Sequence, residues 1–556
     1  MTLNDELARW SRGWRAPAVA ALIAFLAGLP GVFAMPPLDR DESRFAQATA
    51  QMLETDDYVV IRFQDQPRFK KPVGIHWLQA VSVSTLSSPE ARQIWAYRVP
   101  SLLGAMLAAA ACAWGAAAFF GGPAGLIAGA ILGSTFLLST EAFIAKTDAA
   151  LCGFTVLALA ALARLYAEAR DGPPAGKRAA LLFWIGVGMS TLIKGPVGPL
   201  IVGLTLVTLC LLDRRARWLA RLNWYWGLLL VALIVGPWAG AVTVATDGGF
   251  WLTALQGDLA PKLAGGQETH GAPPGYHTLL LPLLMFPATL LLPAAAMVAW
   301  QRRREPGVKF AIAWFVPGFL FFELLPTKLV HYPLLTYGAL AWLAAAAMTT
   351  PLGPRVRWIG AGLGAFAGVA LAGGVAYLLS EYGDPSDLAA GVVTGVLLSA
   401  AGLIGGYLLV RGEAPKAWAS AAVLGVLGHG ALAATVAPRL DPLWLSDRTE
   451  KALADATLLP SQGVAEAPVA VAGYAEPSLV FALGTPTELE GPAEAAEAIA
   501  QGRPAVVEAR EEAAFRQALA QVNAPVRLVR EIRGLDYSNG DEMTLRVYQS
   551  ARSGSR

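Results

Sequence analysis

Long apolar stretches separated by short polar loops set the pattern of this chain. A helix needs about 20 apolar residues to cross a hydrocarbon layer. Runs of that kind recur at roughly 16–36, 93–119, 122–139, 148–168, 179–193, 196–212, 224–245, 278–300, 308–325, 332–350, 358–379, 388–410 and 418–437. The pattern therefore predicts a polytopic α-helical membrane protein with about thirteen transmembrane helices. Gly195 and Pro196, between two of these runs, read either as a turn or as a kink. The first run ends in Met35-Pro36-Pro37 with no small-x-small site close behind it. It is read as an uncleaved first span rather than a signal peptide.

The basic loops predict an orientation. Arg9, Arg12 and Arg15 precede the first span, and further clusters stand at Arg170/Lys177/Arg178, Arg214/Arg215/Arg217/Arg221, Arg302/Arg303/Arg304/Lys309, Arg355/Arg357 and Arg411/Lys416. With the N-terminus cytoplasmic, all of them fall on the inner side. Residues 1–437 then form a transmembrane domain. Its large outer loops are 37–92 and 246–277, and a tail at 438–556 lies on the same outer side. The tail is more acidic. Short apolar runs (469–472, 544–548) alternate with helical patterns (492–501, 510–521), which predicts a small soluble α/β domain. Tyr537-Ser538-Asn539-Gly540 reads as a turn.

Composition agrees with this reading and narrows it. Hydrophobic residues make up 55% of the 556 and charged residues only 15%, too few for the surface of a soluble protein this long. A net charge of +2 leaves no basic face for nucleic acid. Cys112, Cys152 and Cys210 lie in apolar runs without paired spacing, so neither a disulfide framework nor a cysteine zinc site is expected.

The chemistry is sought in charges near outer span ends, because charge at membrane depth usually lines a cavity or pathway. The first outer loop opens Asp39-Arg40-Asp41-Glu42-Ser43-Arg44 and runs into an amphipathic helix from about Glu42 to Leu53. Asp41 reads as an N-cap paired with Arg44 or as a functional carboxylate. Residues 57–63 read as a strand, and Gln64-Asp65-Gln66-Pro67 as a turn. Lys70 and Lys71 follow at the mouth of an apolar helix, as snorkelling side chains or as a phosphate clamp. Asp148 caps a helix or faces a site. Lys194-Gly195-Pro196 and Pro326-Thr327-Lys328 each place a lysine at an outer span end, where the positive-inside bias disfavours one. Together with Arg44 and Lys71, these lysines would build a positive pocket facing Asp41 and Asp148. Such a pocket suits an anionic lipid phosphate with a carboxylate base beside it. Among the histidines, His76 reads as satisfying a local hydrogen bond, His429 as structural, and His270 and His277 as too far apart for a metal motif.

These segments, taken in order, resemble a known family. Asp41-Glu42-x-Arg44-Phe45-Ala46 opens a helix, Tyr58-Val59-Val60 follows, and then Lys71-Pro72 and Trp77-Leu78. Further on stand Thr147-Asp148, Lys194-Gly195-Pro196, Thr327-Lys328-Leu329-x-His331-Tyr332-x-Leu334 and Tyr474-Ala475-Glu476-Pro477-Ser478. The set resembles bacterial GT-C polyprenyl-phosphate-sugar glycosyltransferases. These are related to protein O-mannosyltransferases (family 39) and to the lipid A aminoarabinose transferase. The resemblance implies a multi-pass protein of the bacterial inner membrane with its C-terminal domain in the periplasm. It implies transfer of a sugar from a polyprenyl monophosphate, such as undecaprenyl phosphate, to a periplasmic glycolipid, glycan or protein acceptor, with inversion. By the same resemblance Asp41 and Asp148 are the catalytic acidic residues, and Arg44, Lys71, Lys194 and Lys328 hold the donor phosphate. Glu42, Lys70, His331, Tyr332, Asp258 and His270 are candidates for substrate contact.

The chain departs from the aminoarabinose-transferase pattern at two places. Lys70 stands where an acidic residue usually precedes the loop lysine, and Leu255-Gln256-Gly257-Asp258-Leu259 replaces a histidine-rich stretch. Both changes put a divalent metal site in doubt without excluding one, and no other cofactor is called for. The extra lysine suits a more acidic donor sugar, such as a uronic acid. The rival readings are a transporter or flippase of a lipid-linked substrate, a non-catalytic assembly subunit, and a transferase with a diphosphate donor. The charges collect at outer span ends rather than at mid-membrane, and no matching half-repeats are evident.

Overall fold

The structure is a computed structural model, and it describes residues 9–261, 271–462 and 468–551. Helices dominate because apolar side chains on a membrane-embedded chain leave the backbone no partner but itself. α1 (Arg15–Ala34) leads to α2 (Asp41–Thr55), a two-residue hairpin of β1 (Arg62–Phe63) and β2 (Gln66–Pro67), and α3 (Gly74–Leu86). α4 (Ile94–Gly133) is broken at Gly121, whose φ of +82° is open to glycine, and α5 (Phe136–Glu141) follows. Then come α6 (Asp148–Glu168), α7 (Gly176–Lys194), α8 (Val197–Asp213), α9 (Trp224–Ala245), α10 (Gly249–Thr253) and a π-turn at Ala254–Leu259. α11 (Tyr276–Leu284) and α12 (Leu292–Gln301) precede α13 (Pro306–Leu324), α14 (Tyr337–Ala347), α15 (Pro354–Tyr382), α16 (Leu388–Val410) and α17 (Ala414–Ala431).

Among the described residues, eight helices are long and apolar enough to cross a membrane. The pair Tyr276–Leu284 and Ala288–Gln301, bent by 113°, makes a ninth if it is one span. The expected thirteen is a finer count than these lengths carry. α4 joins two expected runs across the break at Gly121, and Val197–Asp213 and Tyr332–Ala347 are short. Gly195 (φ +60°) ends α7 and Pro196 caps α8, so this junction is a turn rather than a kink.

The expected strand at 57–63 is reduced to its last two residues. Upstream, the Asp57 carboxylate accepts from the backbone N–H of Val59 and Val60 and holds a local turn instead.

Residues beyond 444 build a sheet of β3 (Ala470–Ala472), β4 (Glu488–Glu490), β5 (Ala505–Glu508), β6 (Val526–Asp536) and β7 (Asp541–Ser550), in the order β4-β3-β5-β7-β6. β4-β3-β5 are parallel, and β7 runs antiparallel to both β5 and β6. α18 (Leu445–Asp455), α19 (Pro477–Leu483), α20 (Pro492–Ala500) and α21 (Glu512–Gln521) accompany it. Parallel strands need crossovers, and α19 and α20 supply them. Tyr537–Gly540 closes the β6–β7 hairpin.

Two polar joints fix the first loop. The first is fully buried. Arg98 on α4 meets Glu42 on α2 through Nε–Oε1 and Nη2–Oε2, each 2.8 Å, with neither side chain exposed. Arg98 also donates to the carbonyls of Val32, Met35 and Pro36 at the end of α1. Glu42 accepts from the N–H of Leu38 (2.9 Å) and of Ala145 (2.7 Å). A charge pair this deep is tolerated only when its remaining donors and acceptors are met, and here they are. Arg98→Met leaves the Glu42 charge buried without its partner. A loss of about 3 kcal/mol or more is expected, read as a lower unfolding midpoint in detergent. A midpoint equal to wild type would show that the pair does not hold the loop.

The second joint docks the C-terminal domain. The Asp39 N–H donates to the Tyr537 hydroxyl at 2.7 Å, and Ser478 donates to the Asp39 carboxylate. Burial pushes the Asp39 carboxyl up to about 7. The Ser478 hydrogen bond opposes the rise, and the negative charges of Glu476 and Asp536 add to it. The folded state therefore holds a proton that the unfolded chain releases near 3.8. This contribution to stability is complete below about pH 4 and is lost as pH rises through 7. Asp39→Asn should flatten the decline in melting temperature between pH 5 and 8. An unchanged slope would place the titrating group elsewhere.

Candidate active site

Asp41 is the first residue of α2. It follows Arg40, whose φ of +58° turns the chain sharply, and no side-chain cap closes this helix. The capping reading of Asp41 therefore fails, and its carboxylate is available for other work. It is open to water yet surrounded by protein. Burial alone would raise it, but the positive charges of Lys146 and Arg68 outweigh that and hold it below the usual carboxylate range.

A buried polar cluster lies nearby, at the start of α6. Asp148, the first residue of α6, receives Lys194 Nζ on Oδ1 at 2.5 Å. His331 Nε2 faces the same oxygen at 3.5 Å. Lys146 Nζ lies 3.0 Å from Glu141 Oε1, 3.3 Å from His331 Nδ1 and 3.9 Å from Asp148 Oδ2. These side chains are at most 12% exposed. Burial holds His331 neutral, pushed down to about 3, while its carboxylate neighbours hold Lys146 protonated.

Three of these side chains, Asp148, Lys194 and His331, line a cavity of about 300 Å³. Lys70, Lys71, Asp148, Lys194, His331 and Tyr332 give it a polar end. Leu151, Leu200, Phe250, Trp251, Phe321 and Phe322 form apolar walls. Lys194 Nζ sits 5.8 Å from the Tyr332 ring centre, within reach of a cation–π contact. Apolar walls with a few convergent charges suit a ligand that has a charged head and a greasy stem.

The structure brings Lys70, Lys71, Asp148, Lys194, His331 and Tyr332 together, with Asp41 beside them. Other sequence candidates fall elsewhere. Glu42 is spent on Arg98, so it is a structural anion rather than a substrate contact. Lys328, 3% exposed, donates to the carbonyls of Phe322 (3.2 Å), Glu323 (2.6 Å) and Leu325 at the end of α13. It caps a helix rather than clamping phosphate. Arg44 does not line the cavity, and its charge acts on Glu476 of the C-terminal domain. His270 lies outside the described residues, as does the Asp258 side chain. His277 is buried, and its Nε2 donates to the Leu329 carbonyl at 3.0 Å, a tie between loops. Sequence reasoning missed Glu141 and Lys146, although two charges so close to Asp148 in an apolar stretch are themselves a signal.

Glu141, Asp148 and His331 offer ligand atoms within 4.8 Å of one another, a donor set that could hold a metal. The Lys146 ammonium, however, already contacts Glu141 and His331. A divalent ion there would have to displace a fixed positive charge, so these residues as arranged do not fit one.

Known proteins are similar to this chain in sequence and in fold. The sequence profile of the dolichyl-phosphate-mannose-protein mannosyltransferase family matches residues 70–240. An undecaprenyl phosphate-alpha-4-amino-4-deoxy-L-arabinose arabinosyl transferase of Aeromonas salmonicida is 28% identical over 57% of this chain and 58% of its own length. Its counterpart in Pseudomonas aeruginosa strain UCBPP-PA14 is 30% identical over 62% of each chain. This chain thus spans less than two thirds of those relatives. The crystal structure of ArnT from Cupriavidus metallidurans bound to undecaprenyl phosphate superposes with a TM-score of 0.73 at 20% identity, covering 95% of this chain and 96% of that one. The Archaeoglobus fulgidus oligosaccharyltransferase superposes at 0.50 and 11% identity, covering 94% and 69%. The fold is that of the GT-C membrane glycosyltransferases. In sequence the chain is similar to the aminoarabinose transferases and, over residues 70–240, to the mannosyltransferase family.

Proposed function

We propose that this chain is a membrane glycosyltransferase that moves a sugar from a polyprenyl monophosphate, undecaprenyl phosphate in bacteria, to an acceptor outside the cytoplasm. The observation that carries this reading is the cavity. Lys70, Lys71 and Lys194 line the same largely apolar chamber as the Asp148 carboxylate, and Asp41 lies near enough to feel the charges of Lys146 and Asp148. The names of the relatives, and the undecaprenyl phosphate bound to the Cupriavidus protein, support the donor class. The basic loops support a cytoplasmic N-terminus in the bacterial inner membrane, with residues 438–556 in the periplasm.

In this reading the polyprenyl tail lies along the apolar walls and the phosphate rests on Lys71 and Lys194. The acceptor hydroxyl approaches Asp41. Its oxygen attacks the anomeric carbon while Asp41 takes the proton, and the bond from that carbon to the phosphate oxygen breaks. The leaving phosphate gains charge, which the lysines stabilise in place. One displacement inverts the anomeric configuration. Asp148, held by Lys194 and turned toward the cavity, orients the sugar. Lys70 adds a positive charge that suits an acidic sugar. The acceptor is an envelope glycolipid such as lipid A, or another glycan. A protein side chain is the second reading, favoured by the family that matches residues 70–240.

The test is transfer by purified full-length protein from a panel of polyprenyl-phosphate sugars to envelope lipid extract and to acceptor peptides. Asp41→Asn should lower kcat about 10²–10⁴-fold. Lys71→Ala should lower kcat/KM for the donor about 10²-fold. Folded protein that transfers nothing and binds no polyprenyl phosphate would move the assignment to lipid transport. Transfer that survives Asp41→Asn would remove the base.

A further inference from the structure

We propose that Lys146 is the built-in cation of this site, a positioning residue whose ammonium stands where a divalent ion would otherwise bridge Glu141, Asp148 and His331. The geometry supports the assignment atom by atom. An ammonium has three donors and no acceptor. One N–H of Lys146 points to Glu141 Oε1 at 3.0 Å and another to His331 Nδ1 at 3.3 Å. The second contact requires Nδ1 to be unprotonated, so the imidazole proton sits on Nε2, which faces Asp148 Oδ1 at 3.5 Å. The single ammonium thus fixes the tautomer of His331, neutralises a carboxyl group in a buried setting and stands 3.9 Å from the second oxygen of Asp148.

The same side chain is the foremost positive influence on Asp41. Asp41 is otherwise faced by Arg68 from the first loop, by neutral His331, and by Asp148, whose negative charge opposes the others. Lys146 therefore does two things a metal ion would do. It orders the ligands beneath the sugar site and keeps a base ionised at the cavity's edge. Glu141 Oε2, buried and without a hydrogen-bond partner, marks the coordination left over when an ammonium fills a site with room for a divalent ion. Exclusion of the ion follows from this geometry alone, whereas the effect of Lys146 on turnover rests on the glycosyltransferase reading above.

The experiment titrates full-length wild type, Lys146→Met and Lys146→Met/Glu141→Gln with Mn²⁺ in detergent, with free ion followed by electron paramagnetic resonance. Donor kinetics are measured in parallel with chelator and with Mn²⁺. Wild type should bind no stoichiometric Mn²⁺ and keep its rate in chelator. Lys146→Met should bind one Mn²⁺ per chain, lose that ion in the double variant, and drop kcat at least tenfold with KM for the donor changed less than threefold. Stoichiometric Mn²⁺ on wild type that Glu141→Gln removes would overturn the proposal, whereas an ion lost in Asp39→Asn belongs to the Asp39, Glu476 and Asp536 carboxyl groups. A Lys146→Met protein that binds no ion and turns over normally would overturn it as well. Should Lys146→Met fail to fold, the wild-type titration with Glu141→Gln and Asp39→Asn beside it decides. The ion titration needs no turnover, so its outcome holds even where no glycosyl transfer is found.

Discussion

The buried pair of Glu42 and Arg98 is the constraint on which the rest of the site depends. Its hydrogen bonds reach the end of α1, the first residues of the outer loop, the start of α2 and the N–H of Ala145. Asp41 is the neighbour of Glu42, and Lys146 is the neighbour of Ala145. Holding Glu42 therefore holds Asp41 and Lys146 against each other, although the two lie on segments far apart in sequence. A surface ion pair would contribute little. This one is dry and fully partnered, so its geometry is set by the protein rather than by solvent.

Around that anchor the chain solves a membrane problem. Charge inside an apolar bundle is costly unless paired. The site pairs the carboxyl groups of Glu141 and Asp148 with the amines of Lys146 and Lys194 and places neutral His331 between them. Lys70 and Lys71 line the same cavity as Asp148, Lys194 and His331. In the proposed reaction, such a pre-paired arrangement would meet a lipid phosphate with little rearrangement of its own charges, the condition for stabilising a leaving phosphate.

Much of this was legible in the residues, and the exceptions have physical causes. The apolar periodicity placed most of the helices that line the cavity, and turn chemistry marked the junction at Gly195. Lys71, Asp148 and Lys194 stood out because a charge at a span end needs a reason. Lys328 stood out in the same way and misled, because a lysine that folds back onto the last carbonyls of α13 looks the same in sequence as one that faces a ligand. Glu42 misled for a related reason, since only the fold reveals that Arg98 lies opposite. The strand expected at 57–63 gave way to the side-chain turn of Asp57, a local contact that alternation of apolar residues does not encode. Glu141, the last residue of α5, and Lys146, in the connection before α6, were passed over although they interrupt an apolar stretch, because only the fold shows that the two are buried together.

The measurement that tests the central claim most directly is a cryo-electron-microscopy structure of the full-length protein in lipid with undecaprenyl phosphate added. Phosphate density is expected between the amines of Lys71 and Lys194, with the polyprenyl chain along Leu200, Phe321 and Phe322 and the Asp41 carboxylate on the open side of the phosphate with room for an acceptor hydroxyl. Phosphate density outside this cavity, or headgroup density that buries Asp41 away from any acceptor path, would contradict that claim.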